Sequence, residues 1–297
     1  MEKPQIELRT LNSCTFDEAL ALWNGGFSGY YSDMSRTLPA HTAYLGQASI
    51  QPQLSVAAFI AGKPAGFVLI GMREIHGRKS AWNAGTGVLP EFRGLGIAKT
   101  LMQETVRRLR EEGVHTAALE VVTKNAGAIA AYEHAGFRKT DELIGLRREG
   151  AFAQIPFPRS GKAEYTCRKG NPAEVAGLSF YRENIPWMSQ WYNWTGGEAI
   201  IIHDRSGHAA GYALRRCHYG DHGGLASVEL SHCEAAPNRE DAGDVVRFAL
   251  SCAFGPFDAA IVRSTSNLPQ SSKLAVQALL EAGFTTVYEQ YLMMAEL

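Results

Sequence analysis

The chain has 297 residues, more than one compact core usually serves, so two domains are expected, each able to bury a core of its own. Hydrophobic residues make up 45% and charged residues 20%, which excludes a disordered or fibrous chain. Lysine and arginine (29) nearly balance aspartate and glutamate (30), so no general field draws the molecule onto nucleic acid or an anionic membrane, and neither is expected as a partner.

Met1-Glu2-Lys3-Pro4 leads into an alternating pattern without an apolar signal core. No stretch approaches the about 18 uninterrupted apolar residues of a membrane helix. Cys14, Cys167, Cys217, Cys233 and Cys252 are scattered, odd in number and without a Cys-x-x-Cys pair. Reduced thiols and a cytoplasmic location are expected.

Ile6 to Leu11 reads as a strand, and Thr15 to Trp23 as a helix whose Thr15 and Glu18 have capping-box spacing. Leu54 to Ile60 and Ala65 to Met72 are strand-like runs joined by the hairpin signature Ala61-Gly62-Lys63-Pro64, and Ala81 to Val88 follows as a third. Ile97, Leu101, Met102, Thr105, Val106 and Leu109 recur at helical spacing and stop before Gly113. Ala117 to Val122 then reads as a buried strand, Ala126 to Ala135 as a short helix, and Phe137 onward as a strand. Strands and helices alternating in this order predict an α/β (α+β) fold with a mixed, mostly antiparallel sheet flanked by helices. Gly150, Pro156, Pro158 and Gly161 interrupt the pattern. They place a linker at 151–160 between a domain at 1–150 and another at 161–297.

The halves are related. Ala135-Gly136-Phe137 recurs as Ala282-Gly283-Phe284 at an offset of 147, which also aligns Pro90 with Pro237 and Gly96 with Gly243. An offset of 145 aligns Ala65-Gly66-Phe67 with Ala210-Gly211-Tyr212. Matches in one order and nearly one register predict a tandem duplication.

Leu89-Pro90-Glu91-Phe92-Arg93-Gly94-Leu95-Gly96-Ile97-Ala98 joins a strand end to a helix start. Such a turn presents unpaired N–H groups at the positive end of a helix dipole, an anion cradle in form, although a tight turn alone accounts for a lone glycine pair. About thirty residues on, a second constellation follows a buried strand: Asn125, Tyr132 and Gly136-Phe137. With these two motifs at this separation, residues 5 to 147 resemble the GNAT superfamily of N-acetyltransferases. Arg93, Gly96 and Ala98 fit that family's acetyl-CoA loop, with Gly94 inside it; the second half resembles the family much less.

The resemblance implies that acetyl-CoA is the co-substrate. Its diphosphate would be held by Arg93, Gly94, Leu95, Gly96, Ile97 and Ala98, its pantetheine arm would lie by Asn125, and the amide near Val88 would polarise the thioester carbonyl. It implies direct acetyl transfer to a primary amine, small molecule or peptide, by a monomer or homodimer. Transfer requires a proton for the leaving thiolate, and Tyr132 is the candidate general acid unless its ring simply packs in the core. Asn125 is also placed to cap the helix after it. Glu120 and Glu74 are candidates for the base that deprotonates the amine, or else ordinary solvated carboxylates. Trp23, Phe27, Tyr30 and Tyr31 lie where this family builds its acceptor pocket, or serve as packing aromatics. Gly85 and Gly87 share a strand face and leave backbone bare for a ligand or a bulge.

At the offset of 147 the loop becomes Glu240-Asp241-Ala242-Gly243-Asp244-Val245, and Tyr132 becomes Leu279. Three carboxylates oppose a diphosphate, so the second half is expected not to bind acetyl-CoA and to serve a structural role. Its run Pro186–Trp194 would be unusual if exposed, and is expected to cover the first domain, complete its acceptor pocket or grip a separate ligand. His218, His222, His232 and Cys233 match no standard zinc spacing, and no metal is expected. The alternative to an enzyme is a non-catalytic module that binds acyl-CoA and regulates a partner.

Overall fold

The computed structural model describes residues 5–75, 77–161 and 163–297. The opening Met1–Pro4 segment lies outside the described residues. The chain forms two compact units, one reaching to Thr140 and including Leu292–Leu297, the other spanning Asp141–Tyr291.

The first unit is built from β1 (Ile6–Thr10), α1 (Phe16–Gly26), α2 (Leu38–Gln47), β2 (Val56–Ile60), β3 (Lys63–Ile75), β4 (Arg78–Val88), α3 (Ile97–Glu111), β5 (Thr116–Val122), α4 (Ala126–His134) and the start of β6 (Arg138–Glu149). The capping box opens α1: Thr15 Oγ1 accepts from the Glu18 amide at 3.1 Å, and the Glu18 carboxylate accepts from the Thr15 amide at 2.7 Å. Neighbours from β1 to β4 are antiparallel, while β4 and β5 run parallel. The apolar stripe of α3 is buried along its length, and the helix stops before Gly113, whose φ of 73° suits a residue without Cβ. α2 has no counterpart in the sequence reading; His41 is its one buried residue, so it lacks an apolar stripe.

The second unit takes the rest of β6, then β7 (Tyr165–Gly170), β8 (Glu198–Asp204), β9 (Ala209–Tyr219), β10 (Leu225–Ala235), α5 (Ala242–Phe254), β11 (Val262–Thr265), β12 (Leu268–Pro269), α6 (Lys273–Glu281) and most of β13 (Thr285–Glu296). Strand order and sense repeat: β7 to β10 pair antiparallel and β10 pairs parallel with β11. The repeated glycines have one physical reason. A Cβ on Gly66 would come 2.8 Å from the Gly87 carbonyl, and one on Gly211 would come 2.9 Å from the Glu234 carbonyl, the residue 147 positions on from Gly87.

Each unit finishes its sheet unexpectedly. In the second, Val262 to Ser264 of β11 pair with Glu149 to Arg147 of β6. In the first, the Leu297 amide from the end of the chain donates to the His115 carbonyl at 3.1 Å. The place of α1 and α2 is taken in the second unit by 3₁₀ turns at Pro172–Gly177, Trp187–Ser189 and Trp191–Asn193. Trp187 and Trp194 of the tryptophan-rich run are buried, and Trp194 packs inside its own unit with Val175, Ile201 and Tyr212, so for Trp194 the expectation of covering the first domain or gripping a ligand is corrected. Among the described residues, no helix is long and apolar enough to cross a membrane.

His232, 0% exposed, shares hydrogen bonds with Ser231 Oγ (3.1 Å) and Tyr212 Oη (3.2 Å). Burial, reinforced by the Arg182 charge, lowers its pKa to about 3. Above about pH 6.5 the ring is neutral folded or unfolded; below it the unfolded chain binds a proton that the core refuses, so stability falls as pH drops towards the folded value. We expect the second unit to lose up to about 1.4 kcal/mol per pH unit from this group in urea unfolding between about pH 6.5 and 5, and His232→Gln to flatten that slope.

Candidate acetyltransferase site

Parallel pairing of β4 and β5 runs from Ser80↔Thr116 to Trp82↔Ala118 and then stops, although both strands continue. At the head of the gap the Trp82 indole donates to the Glu120 carboxylate at 2.6 Å, so half-buried Glu120 is held at the parting of the strands. Glu74 is exposed near the far end of β3.

Deeper in the gap, Tyr132 reaches from α4 with 7% of its surface exposed, its hydroxyl bonded to the Thr86 side chain on β4. Burial pushes its pKa up to about 12, with the Thr86 bond opposing, so the phenol keeps its proton at neutral pH. Asn125 does two jobs: Oδ1 caps α4 by accepting from the Ala128 amide at 3.2 Å, and its side chain hydrogen-bonds Tyr30. Tyr132 and Asn125 are therefore brought together with Tyr30. Thr86 was not singled out in the sequence; the only signal for it is strand alternation, which sets it on the face opposite Gly85 and Gly87.

Between β4 and α3, Gly94 and Gly96 take φ of 80° and 81°, the left-handed conformation open to glycine at little cost. Among the described residues no acceptor meets the amides of Gly94 to Lys99. Ile97 anchors this turn at 1% exposure while Arg93, Gly94, Leu95 and Gly96 face solvent. A row of unpaired amides at the start of a helix, within an exposed glycine turn, fits a diphosphate. The Arg93 side chain turns away, donating to the carbonyls of Val88 (3.0 Å) and Ser28 (2.8 Å). It fastens the α1–α2 connection to the loop.

Gly85 and Gly87 serve packing. A Cβ on Gly87 would fall 2.6 Å from Phe67 and 2.9 Å from the Gly26 backbone, and one on Gly85 would fall 3.0 Å from Trp23. Their bare face is covered by α1, so the expectation of a ligand lying there is corrected.

Trp23, Phe27, Tyr30 and Tyr31 form a chain of ring contacts with centroids 4.6 to 5.2 Å apart. The buried Trp23 donates to the Met34 carbonyl at 2.7 Å, so it is packing. Phe27, Tyr30 and exposed Tyr31 line a recess of about 480 Å³ with Asn24 and Met34. Beside them the Arg36 guanidinium stacks on Trp23 (3.8 Å) and Tyr44 (3.6 Å), and Tyr44 Oη donates to the Ala84 carbonyl at 2.9 Å.

The second unit answers each feature with its own side chains. Arg239 holds Asp241 through two bonds of 2.8 and 2.9 Å, and Tyr165 adds a third at 2.8 Å; Arg239 above all keeps the Asp241 carboxyl below its usual range. Asp244 accepts from the amides of Ser160 (2.7 Å) and Gly161 (2.6 Å). β10 and β11 pair no further than Leu230↔Thr265. Beyond that point Arg182 bonds Glu234 (3.2 Å) and Ser272 Oγ (2.9 Å), and Ser272 lies 147 residues after Asn125. Leu279, opposite Tyr132 in that register, is fully buried.

Parted parallel strands, a glycine turn with free amides and a protonated tyrosine between them define an acetyltransferase-type domain. The acetyltransferase (GNAT) family model matches residues 17–137, so the first half of the chain carries a GNAT acetyltransferase domain. It is similar to N-alpha-acetyltransferase MAK3 of Arabidopsis thaliana, 32% identical over 111 residues, 36% of this chain and 58% of that protein. Mycothiol acetyltransferase of Paenarthrobacter aurescens (strain TC1) is 38% identical over 61 residues, 20% of this chain and 19% of that protein. The chain thus spans under two thirds of the length of these curated relatives. Among solved structures, a tandem GNAT protein from the clavulanic acid biosynthesis pathway matches with a TM-score of 0.59 at 14% identity, covering 98% of each chain. A glucosamine N-acetyltransferase region of a fungal multi-domain enzyme gives 0.68 at 17% identity over 99% of this chain and 38% of that one. At these identities the likeness is one of fold.

Calorimetry with coenzyme A is expected to give a stoichiometry of one per chain. Gly96→Glu should remove the binding heat while circular dichroism stays unchanged; a second equivalent would mean that the carboxylate-lined turn of α5 also binds.

Proposed function

We propose that the first unit transfers an acetyl group from acetyl-CoA to a primary amine, and that the second unit binds no acetyl-CoA and acts structurally. The observation that carries this is the convergence of the unpaired amide row at Gly94–Lys99 and the Tyr132–Thr86 pair on one strand gap. Acetyl-CoA supplies an activated thioester. Gly94, Leu95, Gly96, Ile97 and Ala98 would hold its diphosphate through backbone amides, with Arg93 bracing the turn. Asn125 would turn its amide to the pantetheine arm once Tyr30 releases it.

Tyr132 is assigned the acid side of the reaction. Against a thiol near pKa 8.5, complete transfer from a phenol near 12 is uphill by roughly 3 to 4 units. Its contribution is therefore a hydrogen bond to the departing sulfur, charge-assisted as negative charge develops there. The proton released by the attacking ammonium completes the balance. Glu120, ordered by Trp82 at the opening of the gap, is the carboxylate best placed to take that proton, directly or through water. The recess beside Tyr30 and Tyr31 is the acceptor's place, wide enough for a small amine or a peptide end.

Tyr132→Phe should lower kcat on the order of 10²-fold while leaving coenzyme A affinity within about twofold. Equal kcat in the two proteins would remove Tyr132 from the chemistry. Tight cofactor binding with no acetylated product across a broad amine panel would replace the enzyme by an acyl-CoA-binding module.

A further inference from the structure

The second unit sets two cysteines side by side on a face that acetyl transfer does not use. β7 runs along α5: the Tyr165 ring lies 5.6 Å from that of Phe248, and its hydroxyl donates to Asp241. Cys167 stands two residues further along β7, on the strand face of Tyr165. Cys252 stands four residues further along α5, on the helix face of Phe248. Both steps advance the chain about 6 to 7 Å, so strand and helix stay in step and the thiols meet. Their side chains hydrogen-bond each other. Cys167 is exposed and Cys252 partly buried, whereas Cys233 is enclosed in the core.

Two cations and one carboxylate lie beside the pair, with Glu198 2.6 Å from Arg215 and 3.8 Å from Lys169. Lys169 follows Cys167 by two residues, and the Arg215 guanidinium donates to the carbonyls of Cys252 (3.4 Å) and Ala253 (2.8 Å). The bond from Cys252, then the charges of Lys169 and Arg215, lower the Cys167 thiol to about 7 against the opposing effects of burial and the Glu198 carboxylate, while Cys252 is raised. One partner is thereby a nucleophile at neutral pH and the other stays protonated.

We propose that Cys167 and Cys252 form a hydroperoxide-sensitive dithiol that closes to an intramolecular disulfide tying β7 to α5. The Cys167 thiolate attacks a peroxide oxygen; the O–O bond breaks, and the leaving alkoxide or hydroxide takes up a proton, leaving a sulfenic acid on Cys167. Cys252 Sγ then attacks Cys167 Sγ, the S–O bond breaks, and the hydroxide departs as water with the Cys252 proton. Two thiols are oxidised to one disulfide; one hydroperoxide is reduced to water and an alcohol, or to two waters from hydrogen peroxide. The bond would restrain the second unit and raise its unfolding temperature.

The test is treatment of the full folded chain with hydrogen peroxide, followed by alkylation and peptide mass spectrometry. The expected result is a Cys167–Cys252 linked peptide, an intact mass lower by two hydrogens and full reversal by dithiothreitol. Cys252→Ser should leave a sulfenic acid at Cys167 that dimedone traps, and Cys167→Ser should abolish the fast oxidation. Oxidation of Cys167 no faster than that of Cys14 in the same molecules, or links joining other cysteines or separate chains, would overturn the proposal.

Discussion

Where two parallel strands stop pairing, their backbones leave polar groups that something must satisfy, and the rest of this protein is arranged around that demand. In the first unit the strands part at Trp82 and Ala118. The space beyond is met by side chains that can exchange one partner for another: Tyr132 with Thr86, Asn125 with Tyr30, Glu120 with Trp82. These are neutral groups or a single carboxylate at the edge, and each bond breaks at modest cost when a ligand offers a replacement. A site of this kind is closed without being sealed.

The second unit meets the same demand with charge. Arg182 lies in the corresponding gap, paired with Glu234 and Asp141 and bonded to Ser272. The turn that starts α5 carries Asp241 and Asp244, each already engaged with the chain's own donors. Extracting a part-buried guanidinium from two carboxylates leaves three charges unsatisfied, which is far costlier than turning a tyrosine hydroxyl. The same backbone thus yields an open slot in one copy and a filled one in the other, and the difference rests on a few side chains. The 3₁₀ turns before Trp194 complete that change, because its ring packs with Val175, Ile201 and Tyr212 in a stretch of chain where the first unit has two helices.

Much of this was legible in the sequence. The capping box at Thr15 and Glu18, the stripe of α3, the glycine turn at Gly94 and Gly96 and the repeat at 147 residues are local or periodic signals, and local conformation follows them closely. Strand type was also legible, but strand partner was not: the pattern from Phe137 onward says that β6 is a strand and leaves open which edge it joins. Gly85 and Gly87 show the limit in another way, since a missing Cβ marks a close approach without saying whether ligand or helix approaches. Tyr30 was seen as an aromatic of the acceptor side, yet its bond to Asn125 spans some ninety residues of sequence, and no spacing rule reaches that far. Arg182 carried no signal at all, because it lies in an irregular stretch outside both repeat registers.

Acetyl transfer by the first unit requires above all that the amides of residues 94 to 98 receive the diphosphate of coenzyme A. Hydrogen–deuterium exchange of the whole chain, with and without saturating coenzyme A, reads those amides directly. The expected result is slowed exchange over residues 94–98 together with the start of α4, and unchanged exchange over residues 241–246. Protection absent from the first segment, or present in the second, would contradict it.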